Sequence, residues 1–164
     1  MKYMLALLVV ICASKQAWAL DMVPLEACTL MDDVMEVKGR AWRVDSGYGG
    51  CGTPYQDLPS VGPIKTNVAF YANGNGETVR QLKIVLNVND TSTEKHSIET
   101  FKHYCGKLFA KLVKNTWSSE VSMGFDKAII SGERVAWNSD GFSFSIHKRI
   151  WQTGKGHEYQ FLVE

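Results

Sequence analysis

The hydrophobic positions of this chain follow three rhythms, and each predicts a different element. Residues 4–12 (MLALLVVIC) are apolar without interruption. Between residues 98 and 113 the apolar positions recur every three or four residues: Ile98, Phe101, Cys105, Leu108, Phe109, Leu112 and Val113. That spacing puts them on one stripe of an α-helix. Elsewhere apolar and polar residues alternate. Leu82, Ile84, Leu86 and Val88 form one such series. Val135, Trp137, Phe142, Phe144, Ile146 and Ile150 form another, which Tyr159, Phe161 and Val163 can join. A period of two places each series on one face of a β-sheet.

Capping and turn residues set the boundaries. Residues 21–38 read as a helix: Asp21 can cap it, Pro24 suits its first turn, and Gly39 ends it. Leu25, Cys28, Met31 and Met35 share its apolar stripe. Residues 40–45 make a short strand, with Trp42 and Val44 on one side. Strands 66–72 and 78–89 flank an Asn73-Gly74-Asn75-Gly76 hairpin turn. The long helix occupies residues 90–117 and opens on a Thr91/Glu94 capping box. Residues 118–132 are irregular or a short helix. Strands 133–138, 142–151 and 157–164 then form a meander.

The expected order is α-βββ-α-βββ. That is an α+β fold: an antiparallel sheet of about six strands with two amphipathic helices packed on one face. The other face is left for solvent or a partner.

Residues 46–65 interrupt these patterns. They hold Gly47, Gly49, Gly50, Gly52 and Gly62 together with Pro54, Pro59 and Pro63. So much glycine and proline predicts a long loop. Tyr48, Cys51, Tyr55, Leu58 and Val61 argue that it is fastened to the domain.

The first apolar run is far shorter than the ~20 residues needed to span a bilayer. It follows Lys2 and precedes Ala17-Trp18-Ala19, which offers small residues at the two positions a signal peptidase reads. Residues 1–19 therefore read as an export signal and residues 20–164 as a single exported domain with no transmembrane segment. Lipidation at Cys12 fits less well, because bulky Ile11 precedes it.

Loss of residues 1–19 removes Lys2 and Lys15 and no acid, moving the net charge from +1 to −1. A near-neutral chain of ordinary composition has no electrostatic footprint for nucleic acid. An oxidising compartment, periplasmic or extracellular, also changes the reading of Cys28, Cys51 and Cys105. One disulfide and one leftover thiol are expected, with all three pairings open.

Candidate chemistry is thin. Gly49-Gly50-Cys51-Gly52 lacks the Lys-Ser/Thr ending of a phosphate loop. His96 and His103 stand seven residues apart, wider than the spacing by which two helical side chains grip one ion. Nothing in the pattern calls for a cofactor or a metal. By parity, Arg134, Ser143, Ser145, His147, Arg149 and Trp151 point away from the core, and Gln160 and Leu162 can join them. Arg and Trp are favoured binding anchors.

The expected activity is therefore binding, not catalysis. The partner would be another protein, as for an inhibitor or immunity-type protein. The contact surface would be either the sheet face at Arg134, His147, Arg149 and Trp151 or the loop at Tyr48 and Tyr55. Two alternatives remain open at this stage. One is a small hydrolase or thiol-dependent enzyme using Cys51 or Cys105 with a distant histidine; the other is a carrier with an apolar pocket between helices and sheet.

Overall fold

The computed structural model describes residues 20–164; the expected export signal lies outside them. The described residues form one antiparallel sheet of eight strands with helices on one side. In chain order the elements are α1 (Pro24–Thr29), β1 (Arg43–Asp45), β2 (Tyr48–Gly52), β3 (Gln56–Asp57), β4 (Asn67–Asn75), β5 (Thr78–Val88), α2 (Glu94–Val113), α3 (Ser119–Ser131), β6 (Val135–Ser139), β7 (Phe142–Ile150) and β8 (His157–Val163). The strands lie in the order β1-β2-β4-β5-β8-β7-β6, and β3 pairs with β4 beyond the end of β2. The α+β class, the antiparallel sheet and its one-sided helical cover are as the sequence predicts.

Alternation builds the core directly. Phe70, Ile84, Phe161, Ile146 and Val135 are successive partners across β4, β5, β8, β7 and β6. Ala72, Leu82, Val163, Phe144 and Trp137 make the adjacent row. Onto these rows α2 sets Phe101, Cys105, Leu108 and Phe109, all buried. Between helices and sheet the space is filled by rings. Phe109 and Phe144 stand 4.9 Å apart, Trp117 and Phe125 5.2 Å, and Trp137 and Phe144 5.8 Å. Aromatic pairs at these separations are in packing contact.

Besides a shift of the first hairpin turn, where β4 runs on to Asn75 and only residues 76–77 turn, four elements differ from the sequence expectation. The first helix keeps only Pro24–Thr29; the chain then turns, although Met31 and Met35 remain buried. Residues 118–132 form a full helix. Its Ser118 hydroxyl accepts from the Val121 N–H at 3.2 Å, and Gly132 closes it in the left-handed conformation. The expected Thr91/Glu94 capping box does not form: Asp90 caps a single 3-10 turn, Thr91–Thr93, its carboxylate accepting from the Ser92 N–H, and α2 begins after it at Glu94 with no side-chain cap from Thr93.

The fourth difference bears most on function. The glycine-rich stretch contains β2 and β3, which extend the sheet instead of looping away from it. A Cβ on Gly52 would lie 2.6 Å from the Tyr71 ring, so glycine lets that ring lie down across β2. Buried polar side chains fasten the rest. Gln56 donates to the Tyr104 hydroxyl on α2 at 3.0 Å and accepts from the Glu36 N–H at 3.1 Å. Thr53 accepts from the Phe70 N–H. Cys51 faces the helical side beside Ala72 and is joined to Cys28, with Cα atoms 5.8 Å apart. The disulfide thus ties α1 to β2, and Cys105 is a free thiol among the described residues.

Candidate functional site

The helices cover one face of the sheet, and the other face carries the chemistry that alternation turns outward. Register arranges it in rows. Ala69, Val85, Gln160 and His147 are successive partners across β4, β5, β8 and β7. Arg134, one residue before the Val135–Ile146 pair, comes opposite His147 on the β6 side. The next row is Tyr71, Lys83, Leu162, Ser145 and Ala136. On the other side lie Asn67, Asn87, Glu158 and Arg149. The small Ala69 and Val85 are buried beneath their longer neighbours.

These side chains hold one another loosely. The Arg134 guanidinium donates to the Ser145 hydroxyl at 3.2 Å. Arg149, 70% exposed at its side chain, stands 3.7 Å from Glu158, which also accepts from Gln160. Lys83 sits 5.2 Å above the Tyr71 ring centroid, a cation–π contact. The Tyr71 phenol is hydrogen-bonded to Tyr55, and burial, that bond and nearby Glu158 keep it protonated. His147 Nδ1 is buried without a hydrogen-bond partner. Burial and the charges of Arg134, Arg149 and Lys83 hold the imidazole below its ordinary range, against an opposing pull from Glu158.

The expected binding residues can now be placed. Arg134, His147 and Arg149 share the outer face. Trp151 follows the end of β7 and lies against Gly156, where a Cβ would come within 2.6 Å of its ring. Tyr55, 60% exposed, reaches the same face through Tyr71. Tyr48, 75% exposed, pairs with Asn75 at its far edge. The sequence suggested two separate surfaces, one on the sheet and one on a loop. Because β2 joins the sheet, they are parts of one surface. At one margin of it, where β8 ends between β5 and β7, lies an open cleft of about 690 Å³ lined by Asn73, Gln81, Asn138, Ser143 and Glu164.

Sequence reasoning missed Tyr71, Lys83 and Glu158 on this face. The signal was present: Lys83 stands between the core residues Leu82 and Ile84, Tyr71 between Phe70 and Ala72, and Glu158 directly precedes Tyr159.

A second polar cluster lies on the helical side. Glu94, at the first turn of α2, accepts from the Tyr159 hydroxyl and from His157 Nε2, both at 2.8 Å, with Lys148 at 3.7 Å. Burial raises the Glu94 carboxyl, but the bonds from Tyr159 and His157 and the charges of His157 and Lys148 outweigh it and leave it below the ordinary value. The Tyr159 phenol is pushed up by burial and by Glu94. Every group here is satisfied by another, which is the arrangement of a structural tie.

The three described cysteines are bonded or buried. Cys51 is bonded to Cys28, and Cys105 is fully buried, which pushes its thiol well above the usual range. His96 and His103 lie exposed on α2. Among the described residues, no group of three or more His, Cys, Asp or Glu side chains could hold a metal ion, and no helix is long and apolar enough to cross a membrane. Comparison of the chain with protein-family models, curated proteins and solved structures gives no match.

Proposed function

We propose that this is an exported, non-catalytic binding protein that engages another protein through the helix-free face of its sheet, in the manner of an inhibitor or immunity protein. The observation that carries this reading is the continuity of that face. It runs from Tyr48 and Tyr55 through Tyr71 and Lys83 to His147, Arg149 and Arg134. Six strands lie between β2 and β6 inclusive, so the face is ~24 Å wide at the usual strand spacing. A surface of that width is on the scale of the ~800 Å² per partner that a specific complex buries. Its Tyr and Arg content matches the residues that dominate binding energy in interfaces. The Cys28–Cys51 disulfide is compatible with an oxidising compartment.

The test is a comparison of two variants of the oxidised protein, residues 20–164, in capture of partners from its native compartment. Tyr55→Ala with Arg149→Ala alters the outer face; Met123→Ser with Ile130→Ser alters exposed residues of α3 on the other side. A partner retained by the wild type and the α3 variant but lost by the outer-face variant supports the proposal. Loss through the α3 variant alone moves the binding surface to the helices and overturns it.

A further inference from the structure

We propose that the patch around His147 receives the carboxylate side chains of an acidic segment of the partner protein. This names the chemistry of the partner and rests on the outer-face reading above.

Among the described residues, the cations of this patch outnumber its carboxylates. Around His147 stand Arg134 from the β6 side, Arg149 on β7 itself and Lys83 on β5; the charged group of opposite sign facing it is Glu158 on β8. Glu158 is itself only 15% exposed, lies 3.7 Å from Arg149, and already accepts from Gln160. Arg134 meets a neutral serine hydroxyl, and Lys83 meets an aromatic ring. Like charges are thus gathered on neighbouring rows with one carboxylate between them. An incoming carboxylate relieves that repulsion, and a guanidinium can grip it with two parallel N–H groups.

His147 adds a donor. Its Nδ1 is buried without a partner, and a buried bare acceptor is tolerated better than a buried orphan N–H. The proton of the neutral ring therefore belongs on Nε2. A carboxylate there accepts that proton in a hydrogen bond, and its charge stabilises the imidazolium against the cost of a second proton on buried Nδ1. A peptide fits better than a polyanion. The cations are few, they are interleaved with Tyr71, Gln160 and Leu162, and the whole chain is near neutral.

The probe is a blocked hexaglutamate peptide titrated into the oxidised protein at low salt, with the His147 imidazole followed by NMR. Saturable binding is expected, with the His147 titration midpoint moving upward. Because the free imidazole titrates below its ordinary 6.5, affinity should rise as pH falls through that value. Arg134→Gln with Arg149→Gln should weaken binding at least ~tenfold. Glu158→Gln, which removes the competing carboxylate, should tighten it. Lys107→Gln with Lys114→Gln, exposed on α2 and at its C-terminal cap, should leave it unchanged.

Absence of saturable binding, equal weakening by the α2 variant, or no gain from Glu158→Gln overturns the proposal. So does tighter binding to vesicles one-third phosphatidylglycerol than to the peptide, since the ligand is then a membrane. If the peptide fails while Tyr55→Ala with Arg149→Ala still abolishes partner capture, the acidic specificity is wrong and the outer-face surface stands. If both fail, the surface itself is wrong.

Discussion

Glu94 shows how one residue can be read two ways. Its spacing from Thr91 suggests a capping box, but its carboxylate turns to the sheet and gathers Tyr159, His157 and Lys148. Replacement by Gln keeps the shape and removes the charge, so it should cost about 1.5–3 kcal/mol, the usual worth of hydrogen bonds to a charged group. Urea unfolding at neutral pH measures this. The sign of the pH dependence follows from the lowered carboxyl. The stabilisation is present above the unfolded Glu value and is lost as pH falls through the lower folded one. The variant should therefore show a shallower loss of stability on the acid side. Cys105 gives a simpler test. Buried and protonated, it should resist iodoacetamide in the native protein and react once in denaturant, as read by intact mass. Rapid native labelling would mean that the α2–sheet layer opens.

Among the elements, β2 and α1 depend on each other. Three residues of β1, five of β2 and two of β3 are short pieces, and α1 has six residues. None of them would hold alone. The Cys28–Cys51 bond closes a loop with a sequence separation of 23, which is worth about 3 kcal/mol in the chain-entropy account. Cys28→Ala with Cys51→Ala should lower the unfolding free energy by about that amount. The exposed edge of the sheet should loosen first, so hydrogen exchange should speed up in residues 43–57 before it does in β5 and β8. Alternation and helical spacing made β5, β7, β8 and α2 legible in the sequence, because each buries a face of its own. β2 and β3 were hidden because glycine and proline erase alternation. Their strand character comes from pairing with β4 and from rings lying on glycine, neither of which is a local property.

At the scale of the molecule, the described helices lie on one side of an eight-stranded sheet, and the consequence is a second face with polar and aromatic side chains in register. Central β5 and β8 should hold the slowest-exchanging amides, and the edges β1 and β6 the fastest, in exchange measured by mass spectrometry. Uniform protection across all strands would mean that the outer face or an edge is covered, as by a second copy. Oxidised product recovered with Leu20 as its first residue would agree with the proposed export; a reduced product retaining residues 1–19 would contradict it.

The sequence by itself determined which residues turn inward and which outward along the middles of β5, β7, β8 and α2, because a strand's side-chain period of two and a helix's of 3.6 are fixed by backbone geometry. It therefore placed Arg134, His147 and Arg149 on an exposed face before any strand was paired. At element ends it did not determine the facing, and Leu25 and Ile150, expected on core faces, are exposed. The pairing of Cys28 with Cys51, the recruitment of the glycine-rich stretch into the sheet, and the joining of Tyr48 and Tyr55 to the arginine surface were decided only by the tertiary structure. Each depends on which strand lies beside which. Strand order is a property of contacts between distant parts of the chain, and no local rhythm encodes it.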